Sequence, residues 1–275
     1  LKLFTLYELK AGADYWCGRY MRTYKRPELL RMAATFGMFE LAVHKPFYNK
    51  INEALHLNTD EFYTSYVNDP ILKSRMDFID SAISDKDDLY SVAIFSMVEG
   101  AILYSSFAFF KHFQSKGKNK ILNVVRGINF SVRDENMHSE GGSWTYRTHA
   151  NEENRSKEEM DKLHIRIKEA AFKIYEHECR IVDMMYEKGD IPGMRKEDLK
   201  IFVASRLNIC LGNLGIEAIF DFDEETNTVA TWFYDSINKF VFNDFFSGIG
   251  REYVRDWDEE GFVWQTDEML NAVTV

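Results

Sequence analysis

Proline and cysteine are scarce in this 275-residue chain, and each scarcity narrows its reading. The four prolines, Pro27, Pro46, Pro70 and Pro192, leave long stretches free of the residue that breaks helices. Three cysteines, Cys17, Cys179 and Cys210, form neither a CxxC motif nor an even-numbered disulfide framework. That pattern favours a reducing, cytoplasmic setting over secretion. Basic residues are outnumbered 34 to 44 by acidic ones, leaving a net charge of −10. A nucleic-acid partner would want a basic face, so none is expected. No charged-then-apolar leader opens the chain. The first residue is Leu1 and helical patterning begins at once, so the expectation is a start inside a longer native chain.

Long apolar runs are equally few. The stretch Val92–Phe110 is long enough to raise the question of a membrane span. Glu99 sits inside it with Ser96, Ser105 and Ser106, and Lys111 and His112 close it. A carboxylate in mid-span is expensive in lipid. A helix apolar on all sides is otherwise the central helix of a large core, so no membrane partner is expected.

What is abundant is helical periodicity and aromatic bulk, with 22 Phe and 14 Tyr. Residues 3–20 read as a first helix. Pro27 opens a second that runs to Leu57. Asn58-Thr59-Asp60-Glu61 caps a third, and Asp69-Pro70 restarts the pattern. Residues 85–88 cap the apolar helix, which ends near Phe113. A polar turn follows over residues 115–120, then helices over 121–149 and 152–188, stopped by the segment from Gly189 to Gly193. A further helix covers 196–214. Residues 222–228 read as a loop with room for a small hairpin, before a last helix over 232–246. No composition break or solenoid repeat divides the chain, so residues 1–275 are expected to form one all-α domain.

The polar residues on these helices are informative in pairs. Glu135 and His138 lie one turn apart, as do Glu40 and His44, on separate helices. Such pairs are how a helical bundle builds a two-metal carboxylate site. Glu99 and Glu135 lie equally far from the turn centred at Gly117, so antiparallel neighbours would hold them at one height. Glu8 and Glu40 are matched in the same way about Tyr24. Carboxylate oxygen with imidazole nitrogen, and no thiolate, suits iron or manganese rather than structural zinc. A single Glu/His pair arises easily by chance on a charged helix; the matched heights, and a glutamate in an apolar helix that needs a partner, carry the case. His112, His149, His164 and His177 lack such partners and are expected to be solvated.

Those residues, with Ser96-Met97-Val98-Glu99-Gly100, Tyr104-Ser105-Ser106-Phe107, Arg133-Asp134-Glu135-Asn136-Met137-His138, Tyr48 and Asn208…Gly212…Leu214-Gly215, resemble a known family. From about residue 3 to residue 255 the chain resembles the small, radical-generating (beta, R2) subunit of class I ribonucleotide reductase. The resemblance implies a ferritin-like helical bundle with additional helices around a buried dimetal site. It implies that Glu8, Glu40 and His44 hold one metal, and Glu99, Glu135 and His138 the other. Iron is the first expectation, with manganese or a mixed manganese/iron pair as alternatives. Tyr48 matches the radical tyrosine, Asp134 the acidic residue that orients a ligand histidine on the radical-transfer route, and Phe107 a wall against water. The implied activity is that of a ribonucleoside-diphosphate reductase beta subunit. Oxygen activation makes a stable oxidant that a separate large (alpha) subunit uses to convert ribonucleotides to deoxyribonucleotides. A homodimer is expected through the likeness alone, and the C-terminal end as a tail that docks on the large subunit.

The chain also departs from that pattern. Glu8 stands where the family usually has Asp. One extra residue separates Glu40 from His44, where the family has Glu-x-x-His; a π-bulge absorbs such an insertion. With Pro46 nearby, a local distortion is expected between Ala42 and Phe47. No tryptophan precedes Glu8 to begin a transfer route, and Tyr253 and Trp264 are the candidates for aromatic residues of the tail. Competing readings are a dimetal hydroxylase or desaturase relative, a small subunit whose metal pair alone stores the oxidant while Tyr48 is a plain core residue, and an iron-storage protein or helical scaffold. Storage proteins are much shorter, which disfavours the last.

Overall fold

A computed structural model describes residues 1–115, 118, 120–238, 257–258 and 261–262. The chain divides into a helical unit, Leu1–Lys239, and a second unit, Phe240–Val275. In the second, the described residues form a two-stranded antiparallel ladder, Trp257–Asp258 against Gly261–Phe262. Tyr253, Trp264 and the turn centre Gly117 lie outside the described residues.

The first unit is a ferritin-like helical bundle. Helix α1 covers residues 4–23 and is π-helical over Lys10–Tyr20. Helix α2 covers residues 27–54; Pro27 starts it, and a π-helical turn over Glu40–His44 interrupts it. Short α3 (Asp60–Thr64) starts where Thr59 accepts the Phe62 N–H, and α4 (Pro70–Ser84) where Asp69 accepts those of Ile71 and Leu72. Asp87 caps α5 (Asp88–His112) in the same way, a contact worth about 1 kcal/mol per helix start. The remaining helices are α6 (Leu122–Glu152), α7 (Lys157–Met185), α8 (Lys196–Asn213) and α9 (Thr228–Asn238). A Ser156/Glu159 capping box starts α7.

Helix α5 is long and apolar enough to cross a membrane, but 94% of its most apolar window is buried within the protein. It is the core helix. Helix α6 runs antiparallel along it: Ser96 donates to Ser139 O, Glu99 approaches Glu135, and Tyr104 donates to Val132 O. Residues therefore pair at matched distances from the connection, as the spacing required. Helices α1 and α2 pair likewise, closely enough that a Cβ on Gly37 would stand 2.3 Å from Cys17 Sγ.

The extra residue in α2 is absorbed over Glu40–His44 rather than over Ala42–Phe47. Pro46 sits in the first turn of the α-helical segment that follows, where a missing N–H costs little, so the slack is taken up before it. Two further π-helical stretches, in α1 and over Val98–Ile102 of α5, had no counterpart in the spacing. Helix α2 stops at Ala54, short of Leu57, because His56 turns left-handed at φ 57°. Residues 224–226 form a 3-10 turn capped by Asp223 in place of a small hairpin.

Two buried arginines complete the packing around the π-turn of α5. Arg206 of α8 donates to Gly100 O from two nitrogens, at 3.0 and 2.8 Å, and Arg75 of α4 donates to Ile102 O. Widening a helix displaces carbonyls from their regular partners, and a buried carbonyl needs a donor. Arg75 also meets Glu178 of α7, which accepts from Ser105 as well.

Candidate metal centre

Glu8 stands on α1 two residues before its π-helical stretch, and Glu40 and His44 are the two ends of the π-turn in α2. Glu99 lies on the π-turn of α5, and Glu135 and His138 lie on uninterrupted α6. All six side chains are buried, with exposures from 0 to 6%. Their ligating atoms converge into two overlapping groups, Glu8, Glu40, His44 and Glu135, and Glu40, Glu99, Glu135 and His138. Within each group the atoms lie within 4.8 Å of one another. Glu40 and Glu135 belong to both groups and so stand between the two positions.

Some of these close contacts are not hydrogen bonds. His138 Nδ1 lies 2.6 Å from Glu40 Oε1, yet neither atom has a hydrogen-bond partner. Glu8 Oε1, both oxygens of Glu135 and His138 Nε2 are also buried and unpartnered. Orphaned buried polar atoms are costly, and six of them on four of these side chains make a set that could hold cations. The donor set, carboxylate oxygen with imidazole nitrogen, fits hard or borderline divalent ions.

Electrostatics divides the cluster into two kinds of group. Burial, reinforced by the Glu40 carboxylate, holds Glu8 well above the usual carboxyl range, and burial with Glu135 and Glu40 does the same to Glu99. Burial also opposes charge on Glu40, but His44, a hydrogen bond from Glu8 and His138 outweigh it and hold Glu40 well below that range. Glu135 is lowered for a similar reason, with His138 and His44 overcoming burial and the Glu40 charge. The imidazoles respond in kind. Burial disfavours their charge, yet Glu40 and Asp134 carry His44 well upward, and Glu40 and Glu135 lift His138 to about 9. Burial thus pushes two of the carboxyls up, while the imidazoles and the other two carboxyls hold one another toward their charged forms.

The surrounding residues fall where the sequence put some of them. His44 turns Nδ1 toward Glu40, at 3.2 Å, and Glu135, at 3.3 Å, while Nε2 meets Asp134 at 3.0 Å. Asp134 therefore fixes the ring's orientation. Tyr48 is fully buried, and its hydroxyl donates to Ser131 Oγ at 2.9 Å. Its ring packs edge-on against Phe4, centroids 4.7 Å apart, and Phe107 lies behind Phe4 at 6.1 Å. Sequence reading missed Ser131, one turn before Glu135, and Trp16, whose Nε1–H donates to Glu99 Oε1 at 2.6 Å. The spacing of four from Ser131 to Glu135 was a usable signal; Trp16 is 83 residues from its partner and gave none.

The four histidines expected to be solvated are all at least partly buried. His112 is buried with Nε2 3.0 Å from Pro192 O, and His177 is buried edge-on to Phe78. His149 and His164 are half-buried beside the hydroxyls of Tyr24 and Tyr146. In each case the partner comes from a distant helix or loop, which spacing along one helix cannot reveal.

Residues 1–228 match the family model described as "Ribonucleotide reductase, small chain". The chain belongs to that family. Among curated small-chain relatives, the ribonucleoside-diphosphate reductase 2 subunit beta of Escherichia coli is 27% identical over 78% of this chain and 66% of its own length. A probable ribonucleoside-diphosphate reductase small subunit of Invertebrate iridescent virus 3 is 23% identical, covering 94% of this chain and 72% of the viral one. The fold is that of the dimanganese(II)-NrdF of Streptococcus sanguinis, with a TM-score of 0.70 and 21% identity over 86% of this chain and 79% of the other.

Proposed function

We propose that this small-chain member is the oxidant-generating subunit of a ribonucleoside-diphosphate reductase. Its centre holds two divalent ions, one among Glu8, Glu40, His44 and Glu135, the other among Glu40, Glu99, Glu135 and His138. The observation that carries this reading is the convergence of those buried, unpartnered oxygen and nitrogen atoms into two overlapping groups. Cation binding requires ionised carboxylates and neutral imidazoles, so uptake is coupled to proton release. The bound pair supplies oxygen-activating redox chemistry. The S. sanguinis relative of like fold carries manganese, and iron or a mixed pair suits the same donors.

The chain's own residues do the rest. Asp134 holds His44 in one orientation and connects the centre to the face of α6. Tyr48, one turn beyond His44, is placed to store the oxidising equivalent, with its hydroxyl oriented by the hydrogen bond it donates to Ser131 Oγ. Phe4, Phe47 and Phe107 exclude water from that ring. A separate large subunit then uses the stored oxidant on ribonucleotides, and the small chain works as a homodimer in the cytoplasm.

A second reading has one observation in its favour: the Tyr48 hydroxyl bonds to Ser131 and to none of the six glutamate and histidine side chains. In that case the metal pair itself stores the oxidant. Loading with Fe(II) or Mn(II), oxygen exposure and electron paramagnetic resonance, with and without Tyr48→Phe, separate the two. A tyrosyl signal lost in the variant supports the first reading. A metal-centred signal unchanged by the variant supports the second. No oxidised species with either metal, and no stimulation of nucleotide reduction by a large subunit, refutes both.

A further inference from the structure

The rings on the two sides of the centre differ in kind. On the Tyr48 side, the closest aromatic neighbours are Phe4 and Phe47, which resist oxidation. On the opposite side α1 and the residue that follows it present Trp16, Tyr20 and Tyr24 at four-residue steps, all of them readily oxidised. Trp16 is fully buried and donates Nε1–H to Glu99. Its ring centroid lies 5.1 Å from that of Tyr20, also fully buried, and Tyr20 lies 4.6 Å from Tyr24. Tyr24 is half-buried, with its hydroxyl 3.1 Å from His149 Nδ1. Tyr24, His149 and the exposed Trp144 line a surface groove of about 420 Å³. Electron tunnelling falls off exponentially with the gap between donor and acceptor, so rings in van der Waals contact exchange electrons quickly.

We infer that Trp16, Tyr20 and Tyr24, with His149 as proton acceptor, form a one-electron conduit between the surface groove and the buried centre. Trp16 gives one electron to the oxidised centre, and Tyr20 and then Tyr24 refill it in turn. When Tyr24 loses its electron, its phenolic proton passes along the existing contact to His149 Nδ1. His149 Nε2 lies 4.0 Å from Glu153 Oε2, and in this proposal it is the protonated nitrogen, leaving Nδ1 to accept. A small one-electron reductant in the groove, of the ascorbate type, then returns an electron to the Tyr24 radical, and His149 returns the proton. The net step moves one electron from the reductant to the centre; Tyr20, hydrogen-bonded to the Thr145 hydroxyl, keeps its proton while the electron passes, and the one bond broken and remade is the Tyr24 O–H. Such a route lets the centre be reset or discharged without touching the Phe-walled Tyr48. This use rests on the oxidant chemistry proposed above, whereas the conduit itself is a property of the rings.

Two measurements keep those ideas apart. In the first, a ruthenium photosensitiser is attached at Trp144→Cys in a Cys17→Ser, Cys179→Ser background of the full chain, with no metal added. Flash oxidation should yield a tyrosyl radical followed by a buried indolyl radical. The indolyl signal should vanish in Trp16→Phe, Tyr20→Phe and Tyr24→Phe alike, and tyrosyl formation should slow in His149→Phe. Ring-for-ring replacements preserve packing, and circular dichroism checks the fold of each variant. An indolyl yield that survives Tyr20→Phe and Tyr24→Phe overturns the conduit, whatever the centre does. In the second, the loaded, oxygen-treated protein is mixed with ascorbate. Decay of its oxidised signal should be slower in Tyr24→Phe than in the parent, and equal decay overturns the conduit's role at the centre. If no oxidised signal forms at all, the functional reading fails while the flash result stands.

Discussion

Replacing Arg75 by methionine should destabilise the protein far more than replacing Arg75 and Glu178 together. Arg75 and Glu178 are buried to 2 and 0% exposure, paired with each other, and drawn from α4 and α7. Removing one partner of a buried pair costs about 3–5 kcal/mol, because the other charge stays in the interior uncompensated. Removing both in favour of Met and Leu leaves no orphaned charge, and such replacements range from neutral to stabilising by about 1–4 kcal/mol. The carbonyl of Ile102, which Arg75 also caps, and the hydroxyl of Ser105, which donates to Glu178, are the groups left short. The double-mutant cycle should therefore show a large coupling between the two positions.

The pH dependence gives the reasoning a second handle. Burial holds Glu178 up at about 7 even with Arg75 and Ser105 drawing it down. A carboxyl raised in the folded state contributes stability below its unfolded pKa and loses it as pH rises through the folded one. Without Arg75 this loss deepens, so Arg75→Met should cost more at pH 8 than at pH 5. Urea midpoints of the four proteins at both pH values are the assay. An Arg75→Met penalty below about 1 kcal/mol at pH 8, or a double variant as unstable as the two singles summed, refutes the account.

Other outcomes follow from neighbouring features. Glu135→Ala, which touches both ligand groups, should abolish binding of two metal equivalents by metal analysis, whereas Glu99→Ala, in one group, should leave binding of one; unchanged stoichiometry in both refutes the assignments. Gly100→Ala would set a Cβ 2.4 Å from Cys210 Sγ and 2.5 Å from Ser139 Oγ, and overpacking there should cost about 1–3 kcal/mol in chemical denaturation, partly restored by Cys210→Ala. Asp87→Ala removes the α5 cap and a paired contact with Arg155, both at 2.8 Å, for about 1–2 kcal/mol. Hydrogen bonds from Arg155 outweigh burial and hold the Asp87 carboxyl low, so its contribution is present above the unfolded pKa and lost as pH falls through the folded one. Acid unfolding of the variant should therefore start from lower stability and show a shallower decline.

Much of this molecule could be read from residue order because its signals are local. Thr59, Asp69 and Asp87 start helices by contacts within three residues and Pro27 by its fixed φ, and all four act where the sequence placed them. The six glutamates and histidines were legible because antiparallel helices convert equal distances from a turn into equal heights. The π-turn of α2 was visible as one surplus residue, although a proline's tolerance for a helix's first turn moved it by two positions. The π-turns of α1 and α5 carry no surplus against any expected motif, so nothing marked them. Trp16 on Glu99 and His112 on Pro192 depend on packing between elements 80 or more residues apart. Helix periodicity says which face is inward, but not which neighbour it meets.

Glu40 and Glu135 stand in both groups of converging side chains, while Glu8 and His44 belong to one and Glu99 and His138 to the other. The two positions therefore cannot evolve separately. A change at Glu8 or Glu99 retunes one position and leaves a working neighbour for selection to act upon. A change at a shared glutamate removes a side chain from both positions at once, with no intermediate that keeps half a centre. Variation among descendants of this chain should accordingly gather at the unshared places, Glu8, His44, Glu99 and His138.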